Sequence, residues 1–168
     1  MEINQRPKLN LKITRLEFLF NSIALAVFIG SIGFLISAWT TLPSEVPAHY
    51  NGVGEVDRWG SKGEMLILPI IGLAMWIGMS VLEKYPHVYN YTNLTKENAR
   101  EQYLNARMMI NVLKNQMVFI FTYLTWKNIQ IGLGNHDSLG VWFLPVFLLL
   151  IFGSMGYFII KSFRLSKA

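Results

Sequence analysis

Cysteine is missing from this chain of 168 residues, and histidine occurs only three times. Without a thiol there can be no disulfide, no thiolate-bound metal and no cysteine nucleophile. Acidic residues are also scarce, ten against fifteen Lys and Arg, so the net charge is +5. In a soluble protein such a charge would indicate a nucleic-acid partner. Here the basic residues flank long apolar runs, so we expect the charge to set membrane topology and expect no nucleic-acid partner.

Hydrophobic residues, by contrast, make up 52% of the chain, and the mean hydropathy is +0.35. Both values exceed those of ordinary soluble domains. Four segments are predicted to cross a membrane, at about 17–39, 64–83, 112–131 and 139–163. The first is longer than the apolar part of a signal peptide, so we expect it to be retained. The predicted fold is an all-α integral membrane protein with a single four-helix domain over residues 1–168, and no cofactor is expected.

The distribution of basic residues predicts the orientation. Eleven lie in the two termini or in the link between the second and third spans, and two lie in the other connections. The positive-inside rule then places the termini and residues 84–111 in the cytoplasm and the loop 40–63 outside. We therefore predict a multi-pass protein of the bacterial cell membrane, whose third helix begins as a cytoplasmic amphipathic helix before it crosses. The eleven residues are Arg6, Lys8, Lys12, Arg15, Lys84, Lys96, Arg100, Arg107, Lys161, Arg164 and Lys167.

The third span is the most polar of the four, because it is interrupted by Asn111, Lys114, Asn115 and Gln116. An ionisable residue inside a span is a functional candidate. Lys114 and Lys127, however, fall near opposite ends of the predicted span, and we expect both to snorkel to the interfaces rather than to line an ion pathway. Asn115 and Gln116 are expected to hydrogen-bond a neighbouring helix.

Three local signals predict helix boundaries. Ser61 and Glu64 have the spacing of a capping box directly ahead of the second span. Pro69 lies well inside that span, where we expect a bend. Thr95 is predicted to be the N-cap of the third helix.

Small residues recur along one face of the first span. They are Ala26, Gly30, Gly33 and Ser37. A face of this kind allows close helix packing, so it predicts self-association into a homo-oligomer.

The loop 40–63 is long for a connection between neighbouring helices, and long loops are typical of functional segments. Asn51-Gly52 predicts a turn, and the amphipathic ring of Trp59 suits a membrane interface. We therefore predict a loop with fixed side chains. Its candidate ligand-binding or loop-organising residues are Pro47, His49, Asn51, Gly54, Asp57, Arg58 and Trp59.

Three uses compete for His49 and Asp57. A metal site would need further ligands, for which His136 of the facing loop is a weak candidate. Catalysis would use His49 as a base oriented by Asp57, although no nucleophile motif accompanies them. The third use is structural or ligand-binding, and it is favoured because a solitary His–Asp pair is weak support for the other two. We expect no catalytic residue and no bound metal.

The same loop resembles a known family. The resemblance rests on Pro47-x-His49-Tyr50-Asn51-x-x-Gly54-x-x-Asp57-Arg58-Trp59-Gly60-Ser61-Lys62. This pattern is similar to the signature of a bacterial membrane family of unknown function, the domain of unknown function 1648, which is related to the N-terminal part of SdpI-type immunity proteins. A second matching segment, predicted to be cytoplasmic, contains Pro86, Asn90, Tyr91, Glu97, Asn98 and Tyr103.

The resemblance implies a four-span membrane protein and, for the SdpI-like relatives, toxin immunity and membrane signalling. Two features depart from the family pattern. Thr92 stands where the family tends to have Pro, and the additional C-terminal spans of the SdpI proteins have no counterpart here.

The favoured hypothesis is a non-enzymatic ligand-binding, immunity-type or signalling protein. Its expected partners are the lipid bilayer and a peptide, a lipid headgroup or another protein. One alternative is a small transporter or transporter subunit, motivated by Lys114, Asn115 and Gln116. A second alternative is a metal-dependent envelope enzyme that uses His49 and Asp57.

Overall fold

The computed structural model describes residues 3–167, so residues 1, 2 and 168 of the predicted domain lie outside it. Most of the described chain is helical. The α-helices are α1 (Arg15–Ala38), α2 (Ile67–Leu82), α3 (Ala99–Gly132) and α4 (Phe143–Leu165). The predicted helical fold is therefore confirmed for this part of the sequence.

The predicted outer loop contains a β-hairpin, so the all-α prediction is wrong for this segment. Strand β1 (Glu45–Tyr50) pairs antiparallel with strand β2 (Val56–Ser61). Register shifts interrupt the pairing on either side of His49, and Pro47 lies within β1. The segment therefore lacks the regular alternation of apolar and polar residues that marks a strand in sequence.

Within residues 3–167, three helical segments are long and apolar enough to cross a membrane, namely Arg15–Ala38, Lys62–Leu82 and Phe143–Leu165. Few of their residues are buried in the protein, and large apolar side chains such as Ile70 and Leu149 face outward. Exposure of so large an apolar surface to water would be unfavourable, whereas the hydrocarbon of a membrane would cover it. The helices thus support the prediction of a membrane protein.

Helix α3 lies at the centre, and α1, α2 and α4 pack around it. It is also the most polar helix. Its buried polar side chains are Gln102, Asn105, Arg107, Asn111, Lys114, Asn115, Thr125 and Asn128. Hydrocarbon offers no hydrogen bonds, so polar groups of a membrane bundle turn toward one another. Because of these polar residues, α3 is not among the three helical segments that are apolar enough to cross a membrane.

The start of the second helical segment differs in part from the prediction. Ser61 and Glu64 do form the predicted cap, with Ser61 N–H donating to Glu64 Oε1 at 3.1 Å. They begin a 3-10 turn, Lys62–Leu66, and not the α-helix itself. Helix α2 begins at Ile67, which places Pro69 in its first turn, where the missing N–H breaks no helical hydrogen bond. The premise that this proline lies deep in the helix is therefore wrong.

The start of α3 is also later than predicted. Thr95 Oγ1 accepts a hydrogen bond from Asn98 N–H at 3.2 Å, and Asn98 Oδ1 accepts one from Thr95 N–H at 2.9 Å. These reciprocal bonds stabilise a turn ahead of the helix, whose N-cap is Asn98. The predicted boundary is therefore early, because the Thr95 cap belongs to the preceding turn.

In the described part of the chain, no helix packs on the small-residue face of α1. Ala26, Gly30, Gly33 and Ser37 are all exposed, and a Cβ built on either glycine would have no described heavy atom of another element within 4 Å. Helix α1 instead buries Leu35 in the core. Self-association through the small-residue face stays a prediction.

Candidate functional site

Asn51 and Gly54 shape the hairpin turn. Asn51 Oδ1 accepts hydrogen bonds from two main-chain N–H groups of the turn, at 3.1 and 3.0 Å. Gly54 has a φ of +83°, and a Cβ at this position would lie 2.7 Å from the carbonyl oxygen of Gly140. Its own carbonyl accepts a hydrogen bond from Leu139 N–H at 2.8 Å. Glycine is thus required both for the turn and for its close approach to the segment before α4.

Two pairs of polar side chains are in contact across the hairpin and the turn that follows it. His49 Nδ1 is 2.6 Å from Asp57 Oδ1, and Arg58 Nη2 is 3.0 Å from Glu64 Oε2. The side chains of the first pair are 65% and 41% accessible. Because the carboxylate holds Nδ1, the opposite ring nitrogen of His49 is left for a ligand.

A cavity of about 510 Å³ lies beneath the hairpin, between α2, α3 and α4. We call it the hairpin pocket. One side consists of residues 47–52, and Arg58 and Glu64 add charged groups. The floor is apolar and includes Ile67, Leu68, Leu124, Phe143 and Leu144. The combination of an apolar floor with a few polar groups is typical of a ligand site.

Five of the seven predicted loop residues line this pocket. They are Pro47, His49, Asn51, Gly54 and Arg58. Asp57 contacts His49 without lining the pocket, and Trp59 is exposed and does not line it either. The structure therefore brings most of the signature together around one cavity.

Tyr50 connects the hairpin to α3, and it was not among the seven predicted loop residues. Its hydroxyl donates to Asn128 Oδ1, and both residues line the hairpin pocket. Burial raises the pKa of Tyr50 well above its ordinary value, so the phenol stays protonated and remains a donor. Tyr50 belongs to the family pattern quoted above, which was the available signal.

The three weak metal candidates do not form a complete site. His136 contacts the ring of Trp126 edge-on, with centroids 5.8 Å apart. In the part of the chain that the structure describes, no group of three or more His, Asp and Glu side chains is placed to hold a metal ion. For the metal-enzyme hypothesis, His49 and Asp57 are in contact as required, but among the described residues no third ligand lies beside them.

The second predicted motif organises the connection between α2 and α3. The Tyr91 hydroxyl donates to the carbonyl of Pro86 at 2.7 Å, and its ring packs on buried Tyr103 with centroids 5.4 Å apart. Asn98 Nδ2 donates to the carbonyl of Leu165 at 3.3 Å, which connects the link to the end of α4. The remaining members, Asn90 and Glu97, are exposed.

A second polar cluster lies at the opposite end of the bundle from the hairpin, and we call that end the terminal end. Arg107 forms a bidentate pair with Glu17, with Nε to Oε1 at 2.7 Å and Nη2 to Oε2 at 2.9 Å. The same guanidinium donates to the carbonyls of Leu11 and Lys12, each at 2.8 Å. Arg107 therefore fixes the segment before α1 to the central helix.

Lys114 belongs to the same cluster, and the prediction that it snorkels is wrong. Its side chain is 1% accessible, and Nζ lies 2.7 Å from Glu83 Oε2 and 2.9 Å from Ser80 Oγ. A carboxylate at the end of α2 thus replaces the water that snorkelling would supply. Lys127 is only partly buried and donates to the carbonyl of Ser138 near the start of α4.

Amide side chains connect the ion pair of Lys114 and Glu83 to α1. Asn111 Nδ2 donates to Asn21 Oδ1 and to Glu83 Oε1, both at 3.0 Å, and Asn115 Nδ2 donates to the same oxygen of Asn21 at 2.9 Å. Gln116 Nε2 donates to the main chain of α4 at 3.3 Å. The predicted hydrogen bonds from Asn115 and Gln116 to neighbouring helices are therefore present.

Glu17, Asn21 and Glu83 are the members of this cluster that we did not predict. Each lies near the end of an otherwise apolar run, where a polar residue is unremarkable in an interfacial position. A signal existed for Glu17, because Thr14 and Glu17 have capping-box spacing and do form that box at the start of α1. No comparable pattern marked Glu83 as the partner of Lys114.

Comparison with known proteins supports the resemblance of the loop. Residues 26–73 match the family model of a domain of unknown function, DUF1648. An uncharacterized protein of Archaeoglobus fulgidus is 33% identical over 81 residues, which cover 40% of this chain and 44% of that protein. The chain therefore spans less than half the length of that relative. No solved structure matches the chain.

The family match covers the hairpin with the parts of α1 and α2 that flank it. It therefore includes all seven predicted loop residues, whereas the segment from Pro86 to Tyr103 lies outside it. The relation to SdpI-type proteins stays a prediction. Over residues 26–73, the chain is similar to the domain of unknown function DUF1648.

Proposed function

We propose that this chain is a non-enzymatic, multi-pass protein of the bacterial cell membrane that binds an extended peptide in the hairpin pocket. The observation that carries the proposal is that six consecutive residues, 47–52, line one cavity. Side chains of a strand alternate between its two faces. Residues 47–50 belong to β1, and residues 51 and 52 belong to the turn after it. A cavity lined by these consecutive residues therefore follows the main chain of β1 into the turn, which is the geometry in which a peptide adds to a strand edge.

The composition of the pocket supports the same ligand. Among residues 3–167 the sheet has two strands, so β1 has one strand neighbour and, in this part of the chain, a second edge without one. Beside it, His49 and Arg58 offer polar contacts, and Ile67 and Phe143 offer an apolar surface. Main-chain pairing would supply affinity, and these side chains would select the peptide sequence.

The proposed topology has four membrane spans, with α3 as the additional one. Near one end of α3, Asn98 reaches the carbonyl of Leu165, and near the other Lys127 reaches that of Ser138. A helix that runs beside α4 over this length would lie at the same membrane depth. Burial against three apolar helices makes its polar residues compatible with that position.

The proposed orientation has the hairpin outside and the described chain ends in the cytoplasm. Its support is the imbalance of eleven basic residues against two. An outward pocket for a peptide suits a role in immunity or signalling, in which an extracellular peptide is bound at the membrane surface. The identity of the bound peptide would decide between those two roles.

Selection of displayed random heptapeptides on the protein in nanodiscs tests this proposal. We expect enriched peptides that share a sequence pattern and that bind the wild type but not empty nanodiscs. Methylation of their main-chain nitrogens should abolish binding, because it removes the donors that pair with a strand edge. Peptides that bind equally well after methylation would contradict edge pairing.

Arg58→Gln is the informative variant, and Trp59→Phe is its matched control. Both residues are exposed neighbours in β2, but only Arg58 lines the pocket. We expect Arg58→Gln to weaken the selected peptide by about tenfold and Trp59→Phe to leave its Kd unchanged. Equal effects of the two variants, or no enrichment over empty nanodiscs, would contradict the proposal.

Transport is the second candidate function, because the ion pair between Lys114 and Glu83 is buried in the bundle. Ionisable residues in such positions often mark ion or proton pathways. Proton flux into proteoliposomes, reported by entrapped pyranine, should be present in the wild type and lost in Lys114→Ala and Asn115→Ala. Flux that survives both substitutions would remove the reason for this candidate.

A further inference from the structure

A second cavity, of about 490 Å³, opens at the terminal end of the bundle between α1 and α2. We call it the terminal pocket. Its charged lining residues are Glu17, Glu83, Lys84, Arg107 and Lys114, and Asn10, Asn21 and Ser80 add uncharged polar groups. It lies away from the hairpin pocket, and the two cavities have no lining residue in common.

Trp76 borders both the terminal pocket and an apolar crevice. The indole lines the polar cavity and also a narrow crevice further along α1 and α2. The other lining residues of the crevice are Ala24, Leu25, Phe28, Leu73 and Val118, all of them apolar. The crevice has a volume of about 10 Å³, so an acyl chain would lie along its apolar rim and not inside it. A polar chamber beside such a rim matches the two parts of a lipid, a headgroup and an acyl chain.

The charges of the terminal pocket favour an anionic headgroup. Arg107 is paired with Glu17, and Lys114 is paired with Glu83. Lys84 is the fifth charged lining residue; it is exposed, and within residues 3–167 it forms no ion pair. The cavity therefore carries a surplus of one positive charge, positioned at its accessible side.

We propose that the terminal pocket binds an anionic phospholipid, with its phosphate beside Lys84 and an acyl chain along the apolar rim of the crevice beside Trp76. Basic pockets between membrane helices are general binding sites for anionic headgroups. A phosphatidylglycerol headgroup carries one negative charge, which complements the surplus, and its hydroxyls match Asn10 and Ser80 as hydrogen-bonding partners. This site goes beyond the proposed peptide binding and does not depend on it.

Quenching of Trp76 fluorescence by brominated lipid tests the proposal directly. The chain has five tryptophans, so replacing Trp39, Trp59, Trp126 and Trp142 with Phe leaves Trp76 as the single reporter. Phosphatidylglycerol with brominated acyl chains, added to the full chain in detergent micelles, should quench Trp76 at about fivefold lower mole fraction than brominated phosphatidylcholine. Equal quenching by the two lipids would overturn the proposal.

A comparison of Lys84→Gln with Lys96→Gln distinguishes lipid binding at the terminal pocket from attraction of the lipid to general surface charge. Both lysines are exposed in the connection between α2 and α3, but Lys96 does not line the pocket. In the single-tryptophan background, Lys84→Gln should remove the fivefold preference and Lys96→Gln should retain it. A preference that survives Lys84→Gln, or that both variants lose equally, would overturn the assignment of this lipid to the pocket.

Discussion

The hairpin and the terminal end of the bundle each have pairs of polar side chains in contact, but the pairs differ in their exposure to solvent. At the hairpin, the side chains of His49 and Asp57 are 65% and 41% accessible. At the terminal end, the side chains of Lys114 and Glu83 are 1% and 14% accessible. An exposed pair adds little to stability, whereas breaking a buried pair leaves a charge without compensation.

This difference separates binding from folding within one small bundle. The polar groups of the hairpin lie around an open cavity, where they can be replaced without unfolding the helices. Those of the terminal end connect α1 and α2 to α3 through side-chain hydrogen bonds, and they fix how these helices pack. We therefore expect large losses of stability at the terminal end and losses of affinity at the hairpin.

Arg107→Met should cause the largest loss of stability, about 3–5 kcal/mol. The substitution leaves the Glu17 carboxylate buried without a cation, and it removes the donors to the carbonyls of Leu11 and Lys12. Unfolding by SDS in mixed micelles, followed by circular dichroism, measures the change.

The double variant Glu17→Gln, Arg107→Met should recover part of this loss, because no charge then stays buried alone. Lys161→Met is the matched control, since Lys161 is an exposed basic residue near the end of α4. It should change the free energy of unfolding by less than about 0.5 kcal/mol. If Arg107→Met lowers the free energy of unfolding no more than this control does, the expected difference between buried and exposed charges is contradicted.

Lys114→Met should destabilise the protein by about 3 kcal/mol, the lower end of the range for a broken buried pair. The loss is smaller than for Arg107 because Glu83 is 14% accessible, so water reaches the unpaired carboxylate. The same SDS titration measures it, and adding Glu83→Gln should again restore part of the stability. A variant as stable as wild type would revive the prediction that Lys114 extends to the interface.

Gly54→Ala should cost about 1–3 kcal/mol and act at the hairpin end. The new Cβ would lie 2.7 Å from the main-chain oxygen of Gly140, at a residue whose φ is +83°. Gly52→Ala is the control in the same turn, since a Cβ there meets no heavy atom within 4 Å and its φ is not positive. Comparable thermal midpoints for the two variants would show that the contact with Gly140 does not hold the turn.

Much of the helical framework was predictable, because long apolar runs and the 3.6-residue period are properties of the sequence itself. Thus α1, α2 and α4 overlap the predicted spans, although α4 begins at Phe143 and not at Leu139. The loop residues were found for a similar reason. Turn chemistry at Asn51 and Gly54 is local, and the family pattern covers the same segment.

The hairpin and the terminal cluster were not predictable, because both depend on residues that meet across the fold. The strand β1 contains a proline and bulges beside His49, which obscure its period. Lys114 was placed near a membrane interface on the basis of its own helix alone. Its partner Glu83 lies 31 residues away, and only the packing of α2 on α3 brings the two together.

Asp57→Asn should have the smallest effect on folding and tests the comparison from the hairpin side. The variant keeps the shape of the side chain but removes the charge 2.6 Å from the His49 ring. Because both side chains are exposed, the free energy of unfolding should change by less than about 0.5 kcal/mol. The affinity for a selected peptide should fall by about threefold, since the carboxylate no longer holds the His49 ring in place. The free energy of unfolding and the peptide affinity should be measured on one preparation. A stability loss as large as that of Lys114→Met would contradict the expected difference between the exposed pair at the hairpin and the buried pairs at the terminal end.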